Sequence, residues 1–356
     1  MRVLLTSWFV ILVFSHTWGQ DPQFSQYYSA PLYLNPAYAG YAEGGRAAVI
    51  YRNQWRDAGQ FNTFSASADA TYECGKVKMG GGVFLMNDQQ SADIRTTTGG
   101  VVLVPLAIKA ETYSVRTGLY VGGGQRNYQL GRGIFVDQLT TTGVAGQSND
   151  PLAGQALSKT FFDVGLGGIV DFDYSGFGKN KDWIGISVYH LNQPNVNLAT
   201  SQPYRLPMRI NLHMGSQLRM NGWDLTPVAN FRMQSSIRQL DLGAYVNYYS
   251  PRKVSTSADS PATYSLIVGL MYRGIPLLKT VNQTTQDALI GLVGIQNNNL
   301  SFAFSYDVTI SKQAGYTGNT FEFTVSYVNL GWVAGCLDSD SRQRRRNAKF
   351  HMRCPR

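Results

Sequence analysis

The fold is decided by the stretch Phe162-Asp-Val-Gly-Leu-Gly-Gly-Ile-Val-Asp-Phe-Asp-Tyr174, in which apolar residues fall on alternate positions. The residues between them are the carboxylates Asp163, Asp171 and Asp173 and several glycines. Because successive side chains of a β-strand point to opposite faces, this stretch predicts a strand with one apolar and one acidic face. A soluble β-sandwich shows the same alternation, with its apolar face packed in a dry core. The rest of the sequence must therefore distinguish a sandwich from a membrane barrel, whose apolar face points to lipid.

The same period-two pattern recurs from Arg46 onward. It predicts fourteen strands, near 46–55, 62–72, 79–88, 94–108, 113–124, 161–174, 183–190, 206–219, 224–234, 238–249, 263–273, 287–296, 300–308 and 320–330. Single-chain bacterial outer-membrane barrels have an even number of strands. Only 15% of the residues are charged, against roughly 25% in ordinary soluble domains. We therefore expect an all-β transmembrane outer-membrane barrel of about 14 antiparallel strands, spanning residues 46–332.

The lengths of the connections fit this count with one exception. The segments 126–160 and 192–205 are long, as expected outside the cell, and the turns at Asn221-Gly222 and 297–299 are short. The connection 250–262 is long where a short periplasmic turn is expected, so either that turn is elaborated or the strand count shifts there.

The first 19 residues predict a cleaved signal peptide. Arg2 precedes an apolar run from Val3 to Phe14, and Thr17 and Gly19 are small residues at the positions that a signal peptidase reads. A core of about a dozen residues is too short to span a bilayer. We expect cleavage after Gly19, a leader over 20–45, and no helical membrane span in the mature chain.

The formal net charge of +9 comes mainly from the C-terminal end. Seven basic residues follow Asp338, and two acidic ones accompany them. An exported chain meets no genome, so we predict no nucleic-acid partner. We predict a basic periplasmic tail over 333–356 that either is solvated or docks an acidic partner or anionic lipid, through Arg342, Arg344, Arg345, Arg346 and Lys349.

The chain has three cysteines, Cys74, Cys336 and Cys354, without the spacing of a zinc site. In an oxidising compartment a disulfide can persist. A bond between Cys336 and Cys354 would close the basic tail into a loop, but Cys74 can be single or belong to a different pair.

No motif organises a catalytic, cofactor or metal site. The histidines of the mature chain, His190, His213 and His351, lie on two strands and the tail, and neither His-Glu-x-x-His nor Gly-x-Ser-x-Gly occurs. We expect Asp163, Asp171 and Asp173 to face the lumen and to pair with luminal arginines rather than to form a glycosidase site. Those arginines are Arg209, Arg219, Arg232 and Arg273.

Glycine clusters at 80–82, 122–124 and 165–168 lack the features of a phosphate loop. They fit places where strands bend or where an internal segment approaches the barrel wall. A luminal polar network is expected from Arg52, Trp55, Asp307 and Glu322, since an arginine facing lipid near the midplane costs roughly 2–4 kcal/mol.

Several motifs, in order along the chain, resemble those of one family. Gln20-Asp-Pro-Gln-Phe-Ser-Gln-Tyr-Tyr28 and Tyr33-Leu-Asn-Pro-Ala-Tyr-Ala-Gly40 resemble the opening of the PorP/SprF family of the type IX secretion system. The further similar motifs are Tyr51-Arg-Asn-Gln-Trp55, Tyr189-His-Leu-Asn-Gln-Pro194, Met271-Tyr-Arg-Gly-Ile-Pro276, Asp287-Ala-Leu-Ile290, Phe304-Ser-Tyr-Asp-Val-Thr-Ile-Ser311 and Cys354-Pro355. The family's Gly-Gly-Ala/Ser-His-Glu run is replaced by Gly318-Asn-Thr-Phe-Glu322, so a role of that histidine does not carry over.

The resemblance implies an outer-membrane protein that helps adhesins or effectors reach, or stay on, the cell surface, with a link to gliding motility. The partners it implies are cargo with a C-terminal secretion domain, other translocon subunits and the periplasmic ring lipoprotein. Asn35 and Pro36 belong to the shared motifs. The leader, with its tyrosines and prolines, either plugs the barrel mouth or forms an interfacial aromatic belt. The alternative function is a passive channel for small solutes.

Overall fold

The computed structural model describes residues 21–335 apart from the gaps 43, 56–60, 75–76, 92, 111, 130–134, 142, 145, 151–152, 174–180, 198–203, 250–263, 275–285, 298, 312–313 and 330–332. Within these described residues, no helix is long and apolar enough to cross a membrane. The short helices are α1 (Pro31–Leu34) and α2 (Ala314–Thr317).

Fourteen antiparallel strands form a closed barrel. Each strand pairs with its neighbour along the chain, and the first strand closes the ring by pairing with both the second strand and the last strand. This confirms the predicted number of strands and the barrel fold. The barrel strands are β1 (Arg46–Gln54), β2 (Phe61–Cys74), β3 (Val77–Gln89), β4 (Ile94–Lys109), β5 (Tyr113–Gln129), β8 (Ala156–Asp173), β9 (Lys181–Tyr189), β10 (Arg209–Arg219), β11 (Trp223–Gln234), β12 (Ile237–Tyr249), β13 (Tyr264–Gly274), β14 (Gln286–Asn297), β15 (Leu300–Thr309) and β16 (Thr320–Val328).

Among the described residues, three short strands lie outside this ring. β6 (Leu139–Thr140) and β7 (Gly143–Val144) form a small hairpin in the connection between β5 and β8. β17 (Val333–Gly335) follows the last barrel strand and pairs in parallel with β2. The described barrel strands run from Arg46 to Val328.

Side chains alternate between a lipid-facing and a luminal face, as the pattern of the deciding stretch predicts. In β8, Phe162 and Leu166 are exposed, whereas Asp163 and Asp171 are buried. In a barrel the apolar face points to lipid and the polar face to the lumen. The acidic face therefore lies inside, where side chains can be paired.

The lengths of the connections assign the two ends of the barrel. The start of β1 and the end of β16 share one end with the turns 110–112 and 220–222. The long connections 130–155 and 190–208 lie at the opposite end. Short turns are typical of the periplasmic side and long loops of the cell surface, so we call these the periplasmic and the outer end.

The connection between β12 and β13 departs from that rule without shifting the count. β12 and β13 pair along almost their whole length, from Leu240 with Gly274 to Tyr249 with Ser265. The strand count therefore does not shift there, and residues 250–263 of the connection lie outside the described residues.

Candidate functional site

The leader, here residues 21–42, lies inside the barrel lumen. Gln26, Leu32, Asn35 and Ala37 are completely buried. Of the two alternatives that the sequence left open, this position fits the plug and not an interfacial belt. The wall residues that pack with the leader in two apolar clusters include Phe84, Met86, Tyr120, Ile169, Trp183, Tyr189, Tyr245 and Ile267.

Prolines and one asparagine shape the middle of the leader. Pro31 begins α1 and Pro36 begins a 3-10 turn, positions that suit a fixed φ and need no N–H group. The Asn35 side chain accepts a hydrogen bond from Ala37 N at 2.9 Å. Its Nδ2 lies 3.0 Å from the carbonyl oxygens of Gly168 and Ile186 and from His213 Nε2. Asn35 thus caps a turn and ties the leader to three strands.

At the outer end, Asp21 of the leader belongs to a group of four charged side chains; we call Asp21, Asp163, His190 and Arg209 the outer latch. His190 Nε2 lies 2.7 Å from Asp21 Oδ2, and His190 Nδ1 lies 2.9 Å from Asp163 Oδ2. Arg209 Nη1 donates to the same Asp21 oxygen at 2.9 Å. A histidine between two carboxylates can serve both only when both ring nitrogens carry a proton.

The surroundings of His190 and Asp21 in the outer latch favour the charged forms of both side chains. Burial by itself lowers the pKa of His190, but Asp21 and Asp163 outweigh it and raise the pKa to about 9 from the usual 6.5. Burial raises the pKa of Asp21, and the charges of His190 and Arg209 outweigh it and hold that pKa below its usual value. The latch therefore carries its ion pairs at neutral pH.

Arg209 also stacks against aromatic rings. Its guanidinium carbon lies 3.9 Å from the centre of the Tyr33 ring and 4.5 Å from that of Tyr189. Arg209 Nη2 donates to the Tyr33 carbonyl at 3.1 Å, and the Tyr189 hydroxyl donates to the Leu32 carbonyl at 2.5 Å. A cation held between desolvated rings contributes about 2 kcal/mol or more, so Arg209 fixes both the leader's end and its middle.

Deeper in the lumen, a second group binds the leader backbone; we call Ser25, Arg52, Arg273, Asp307 and Glu322 the carboxylate cluster. Glu322 accepts hydrogen bonds from Ser25 N and Gln26 N, both at 2.8 Å. Arg52 Nη1 lies 3.3 Å from Glu322, and Arg273 Nη1 donates to Asp307 at 2.9 Å. Ser25 Oγ accepts from both arginines and donates to Asp307 at 2.5 Å.

The charges within the carboxylate cluster balance. Its four charged residues, two arginines and two carboxylates, have exposures of 3% or less. A buried ion pair adds little net stability over an apolar pair, but loss of one partner leaves an uncompensated charge and costs about 3–5 kcal/mol. Ser25 and Gln26 donate three hydrogen bonds to these two carboxylates, so the leader helps to satisfy them.

The structure brings three of the four residues expected in a luminal network together and separates the fourth. Arg52, Asp307 and Glu322 lie in the carboxylate cluster. Trp55 lies beyond the end of β1, where its ring packs edge-on against Phe61 with centroids 5.4 Å apart. The backbone N–H of Trp55 donates to Thr320 Oγ1. Since the strand ends at Gln54, alternation no longer fixes the direction of the residue that follows.

Phe321, which stands where the family pattern has histidine, faces away from the cluster. Its ring contacts that of Tyr51, with centroids 6.1 Å apart, while the next residue, Glu322, points into the lumen. Alternation along β16 explains this difference. The departure from the family motif therefore does not alter the luminal network.

At the periplasmic end, the last leader residues are bound by charged side chains of the wall. Gly40 N donates to Asp69 Oδ2 at 2.9 Å, and Arg46 Nε donates to Asp69 Oδ1 at 2.8 Å. Arg116 Nη2 donates to the Ala39 carbonyl at 2.7 Å.

A second contact at this end joins Tyr41 of the leader to Asp171. The Tyr41 hydroxyl donates to Asp171, which also lies 3.5 Å from Lys181 Nζ. The leader is thus fixed at both ends and in the middle.

Asp163 and Asp171 do not pair with the arginines that the sequence suggested for them, and the side chain of Asp173 lies outside the described residues. Asp163 pairs with His190, and Asp171 with Lys181. Arg209 pairs with Asp21 of the leader, and Arg273 with Asp241 and Asp307. The leader entering the lumen brings its own carboxylate and hydroxyl groups, and these take up part of the positive charge of the wall.

Glycines of the barrel wall make room for the leader. A Cβ atom at Gly167 would lie 2.0 Å from Asn35 Oδ1, and one at Gly80 would lie 1.9 Å from the Ala39 carbonyl oxygen. Both distances are far below van der Waals contact. Of the two explanations for the glycine clusters, the approach of an internal segment applies at these two positions.

A cavity remains above the leader at the outer end. It has about 640 Å³ of empty volume, part of which is open to solvent, and it is bounded below by Asp21, Pro22 and Tyr33. Its wall contains the aromatic residues Phe84, Tyr120, Phe161 and Tyr189, and its polar lining residues include Asp88, Arg126, Asp163, His190 and Arg209. The outer latch therefore forms one side of this recess.

Other candidate groups have structural surroundings or fall outside the described residues. His213 is buried and lies 3.0 Å from Asn35 Nδ2. In the described part of the chain, no group of three or more His, Cys, Asp or Glu side chains is arranged to hold a metal ion. The tail residues Arg342, Arg344, Arg345, Arg346 and Lys349, and the cysteines Cys336 and Cys354, lie outside the described residues.

Sequence reasoning did not single out Asp21, Ser25, Gln26 or His190 as parts of a site. Asp21, Ser25 and Gln26 belong to the motif at the start of the leader, and His190 to the motif after β9. Those motifs were a usable signal, but period-two analysis applies only to strands and these residues lie outside them.

Comparisons with known proteins give a family for the chain and distant structural likenesses. The sequence matches the family described as "Type IX secretion system membrane protein PorP/SprF" over residues 17–327. No curated protein matches it. A Pseudomonas aeruginosa FadL homologue is similar with a TM-score of 0.44 at 11% identity, covering 83% of this chain and 93% of that one. The CymD monoaromatic hydrocarbon channel gives a TM-score of 0.45 at 11% identity, covering 84% and 92%.

The closure of this barrel follows from its own strand pairing and not from these distant likenesses. The family match extends over most of the chain, including the leader and all but the last residue of the barrel strands. A membrane-protein family and a closed barrel with an apolar outer face place the protein in the outer membrane. The chain belongs to the PorP/SprF family of type IX secretion system membrane proteins.

Proposed function

We propose that this barrel is a component of the type IX secretion system that helps export cargo, or anchor it, at the cell surface. The cargo is an adhesin or another effector with a C-terminal secretion domain, and the role extends to gliding motility where the host glides. No catalytic step and no cofactor are part of the proposal. The partners are the cargo, other translocon subunits and the periplasmic ring lipoprotein.

The observation that carries the proposal is the position of the leader. Residues 21–42 fill the lumen and are tied to the wall by the outer latch, by Asn35 and by the carboxylate cluster. A lumen occupied by its own chain suits a protein that acts through its surfaces and its partners better than one that conducts solute. The accessible recess at the outer end, beside Asp21 and His190, supplies a surface where an exported partner can bind.

The alternative is a passive channel for small solutes. Barrel width grows with strand number, and fourteen strands lie below the 16–18 strands of open porins. The buried leader occupies the path that solute would take. A channel would require the leader to leave the lumen and give up its buried hydrogen bonds.

Deletion of the gene in its host separates the two functions. We expect one or a few large secreted proteins to be lost from the cell surface or the culture fluid, with small-solute uptake unchanged. Complementation with the wild-type gene should restore them. An unchanged set of secreted proteins together with altered permeability would refute the secretion role.

A second experiment measures conductance. The purified barrel in a planar bilayer should show no stable open pore. A chain without residues 21–40 should conduct small ions, provided that its yield and heat-modifiable mobility show a folded barrel. Stable conductance of the intact chain would favour the channel instead.

A further inference from the structure

The cavity above the leader, which we call the outer recess, has a layered wall. Strand pairing places the luminal side chains of β3, β4, β5 and β8 in rows that cross the strands. An outer row contains Asp88, Thr96 and Arg126. An inner row contains Phe84 and Asp163. The two rows are four strand positions apart, a rise of about 13 Å. The outer recess is therefore deep enough for a whole side chain and not only for a surface contact.

Aromatic rings line the outer recess between and beside these rows. The Phe84 ring stacks on that of Tyr120, with centroids 5.3 Å apart. The rings lie close to the wall because glycines stand beside them. A Cβ atom at Gly124 would lie 2.7 Å from Phe161 Cζ, and one at Gly100 would collide with the Tyr120 ring. Glycine at both positions therefore keeps the rings against the wall and the recess open.

Several polar atoms of the lining residues are buried without a hydrogen-bond partner in the described part of the chain. Asp163 Oδ1 in the inner row and Arg126 Nε in the outer row are two of them, and Thr98 Oγ1 between the rows is a third. A carboxylate oxygen only accepts hydrogen bonds, and an arginine N–H only donates them. Buried polar groups are nearly always satisfied. An occupant that satisfies these atoms carries a donor at its deep end and an acceptor near the mouth.

The charges around the outer recess favour a neutral occupant. Three of its lining residues are formally negative and three are positive: Asp21, Asp88 and Asp163 against Arg126, His190 and Arg209. His190 counts as positive because its pKa is raised to about 9. A cationic or anionic side chain would bring an uncompensated charge into this balanced surrounding, and burial of such a charge is unfavourable.

We propose that the outer recess binds one tyrosine or tryptophan side chain of an exported partner, an inference that rests on the proposed function. The ring of that side chain lies among Phe84, Tyr120 and Phe161, since aromatic pairs attract one another beyond the area that they bury. Its hydroxyl or indole N–H donates to Asp163 Oδ1. A main-chain carbonyl of the same partner segment accepts from Arg126 Nε. Tyrosine and tryptophan are also enriched among the residues that anchor protein interfaces.

Binding of blocked amino acids to the purified full-length barrel tests this chemistry. The probes are N-acetyl-tyrosinamide, N-acetyl-tryptophanamide, N-acetyl-phenylalaninamide, N-acetyl-lysinamide and methyl glucoside. Saturation-transfer NMR measures their affinities in detergent, with empty micelles as the blank. We expect the tyrosine and tryptophan probes to bind at least about tenfold more tightly than the phenylalanine probe, which cannot donate to the carboxylate. The lysine probe and the glucoside should bind more weakly than either.

Three results would overturn the inference. The phenylalanine probe could bind as tightly as the tyrosine probe, in which case the donor has no role. The lysine probe or the glucoside could bind most tightly, which would assign the recess to a cationic side chain or to a sugar. Finally, no probe could bind beyond the blank.

Two variants of neighbouring residues locate the binding. Thr98→Phe puts a ring into the outer recess from β4, whereas Thr97→Phe puts the same ring on the opposite face of that strand. Thr98→Phe should weaken the tyrosine probe at least about tenfold, and Thr97→Phe should leave its affinity unchanged. Heat-modifiable mobility on a gel shows whether each variant folds. Undiminished binding to folded Thr98→Phe would exclude the recess as the site, and the wild-type probe series decides even where a variant does not fold.

The host separates a failure of this inference from a failure of the proposed function. Cells with Thr98→Phe should lose the same secreted proteins as cells without the gene, at wild-type abundance of the barrel in the outer membrane. If the deletion removes those proteins and Thr98→Phe retains them, the binding partner is wrong and the secretion role stands. If the deletion leaves all secreted proteins in place, the secretion role is wrong and the exported partner is overturned with it.

Discussion

Asp21 and His190 lie 2.7 Å apart at the outer end of the barrel although they are 169 positions apart in sequence. β1, which follows the leader, starts at the periplasmic end. The leader therefore runs down the lumen from the outer mouth, and the chain turns back to build the first strand. This path makes the leader a part of the barrel core rather than a preceding appendage.

The outer latch predicts a pH-dependent contribution to stability. The pKa of His190 in the folded protein, about 9, exceeds its usual value of 6.5. The contribution of charged His190 is therefore complete below about pH 6.5 and is lost as the pH rises through 9. A pKa shift of this size corresponds to roughly 3 kcal/mol in the free energy of unfolding. Thermal unfolding in detergent should show wild type more stable than His190→Gln at pH 6, with the difference vanishing above pH 9.

The contribution of Asp21 to stability has the opposite pH dependence. Its pKa is held below the usual 3.8, so its contribution is present above that pH and is lost as the pH falls further. An Asp21→Asn variant should match wild type most closely at acidic pH and fall behind as the pH rises towards neutrality. A constant difference from pH 3 to pH 8 would contradict the assigned ion pairs.

Glu322 should be among the most sensitive positions of the barrel. Replacement by Ala leaves two backbone N–H groups of the leader without their acceptor and removes one of the two carboxylates beside the Arg52 guanidinium. We expect a loss of about 3–5 kcal/mol in the free energy of unfolding, measured by urea titration in detergent. Glu322→Gln, which keeps one acceptor oxygen, should lose less. The matched control is Phe323→Leu on the lipid-facing side of the same strand, which should lose under about 1.5 kcal/mol.

A methyl group added to the barrel wall at Gly167 should displace the leader from the lumen. In Gly167→Ala the new Cβ would meet Asn35 Oδ1 at 2.0 Å, whereas Gly291→Ala meets nothing within 4 Å. We expect Gly167→Ala to make the aromatic residues of the leader accessible to chymotrypsin, and Gly291→Ala to leave them protected. In a chain lacking residues 21–40 the Gly167→Ala change should have little effect on stability. Equal protection in the two full-length variants would argue against the close contact.

The path of the leader predicts that the end of the mature chain is accessible from outside the cell. A short epitope inserted before Asp21 and after the expected cleavage site should bind antibody on intact cells. The same epitope in the turn at Asn221 and Gly222, at the periplasmic end, should bind only after the outer membrane is opened. The reverse pattern would invert the orientation assigned from the loop lengths.

The sequence by itself determined the barrel. Alternation in the segment 162–174 and in thirteen others fixed the number of strands, because the period of two is a local property of each strand. Successive motifs from Gln20 to Pro355 predicted the family. Alternation also directed Arg52 and Glu322 into the lumen, but it failed at Trp55, where the strand has already ended.

Only the tertiary structure decided where the leader lies and what holds it. Tyrosines and prolines between residues 27 and 38 suit a plug and an interfacial belt equally well, because their local conformation is the same in both. The choice depends on partners far along the chain: Glu322 for Ser25 and Gln26, Gly168 and Ile186 for Asn35, and His190 and Arg209 for Asp21. Such contacts arise only when the ring of strands closes and encloses the leader, so no local pattern in the sequence encodes them.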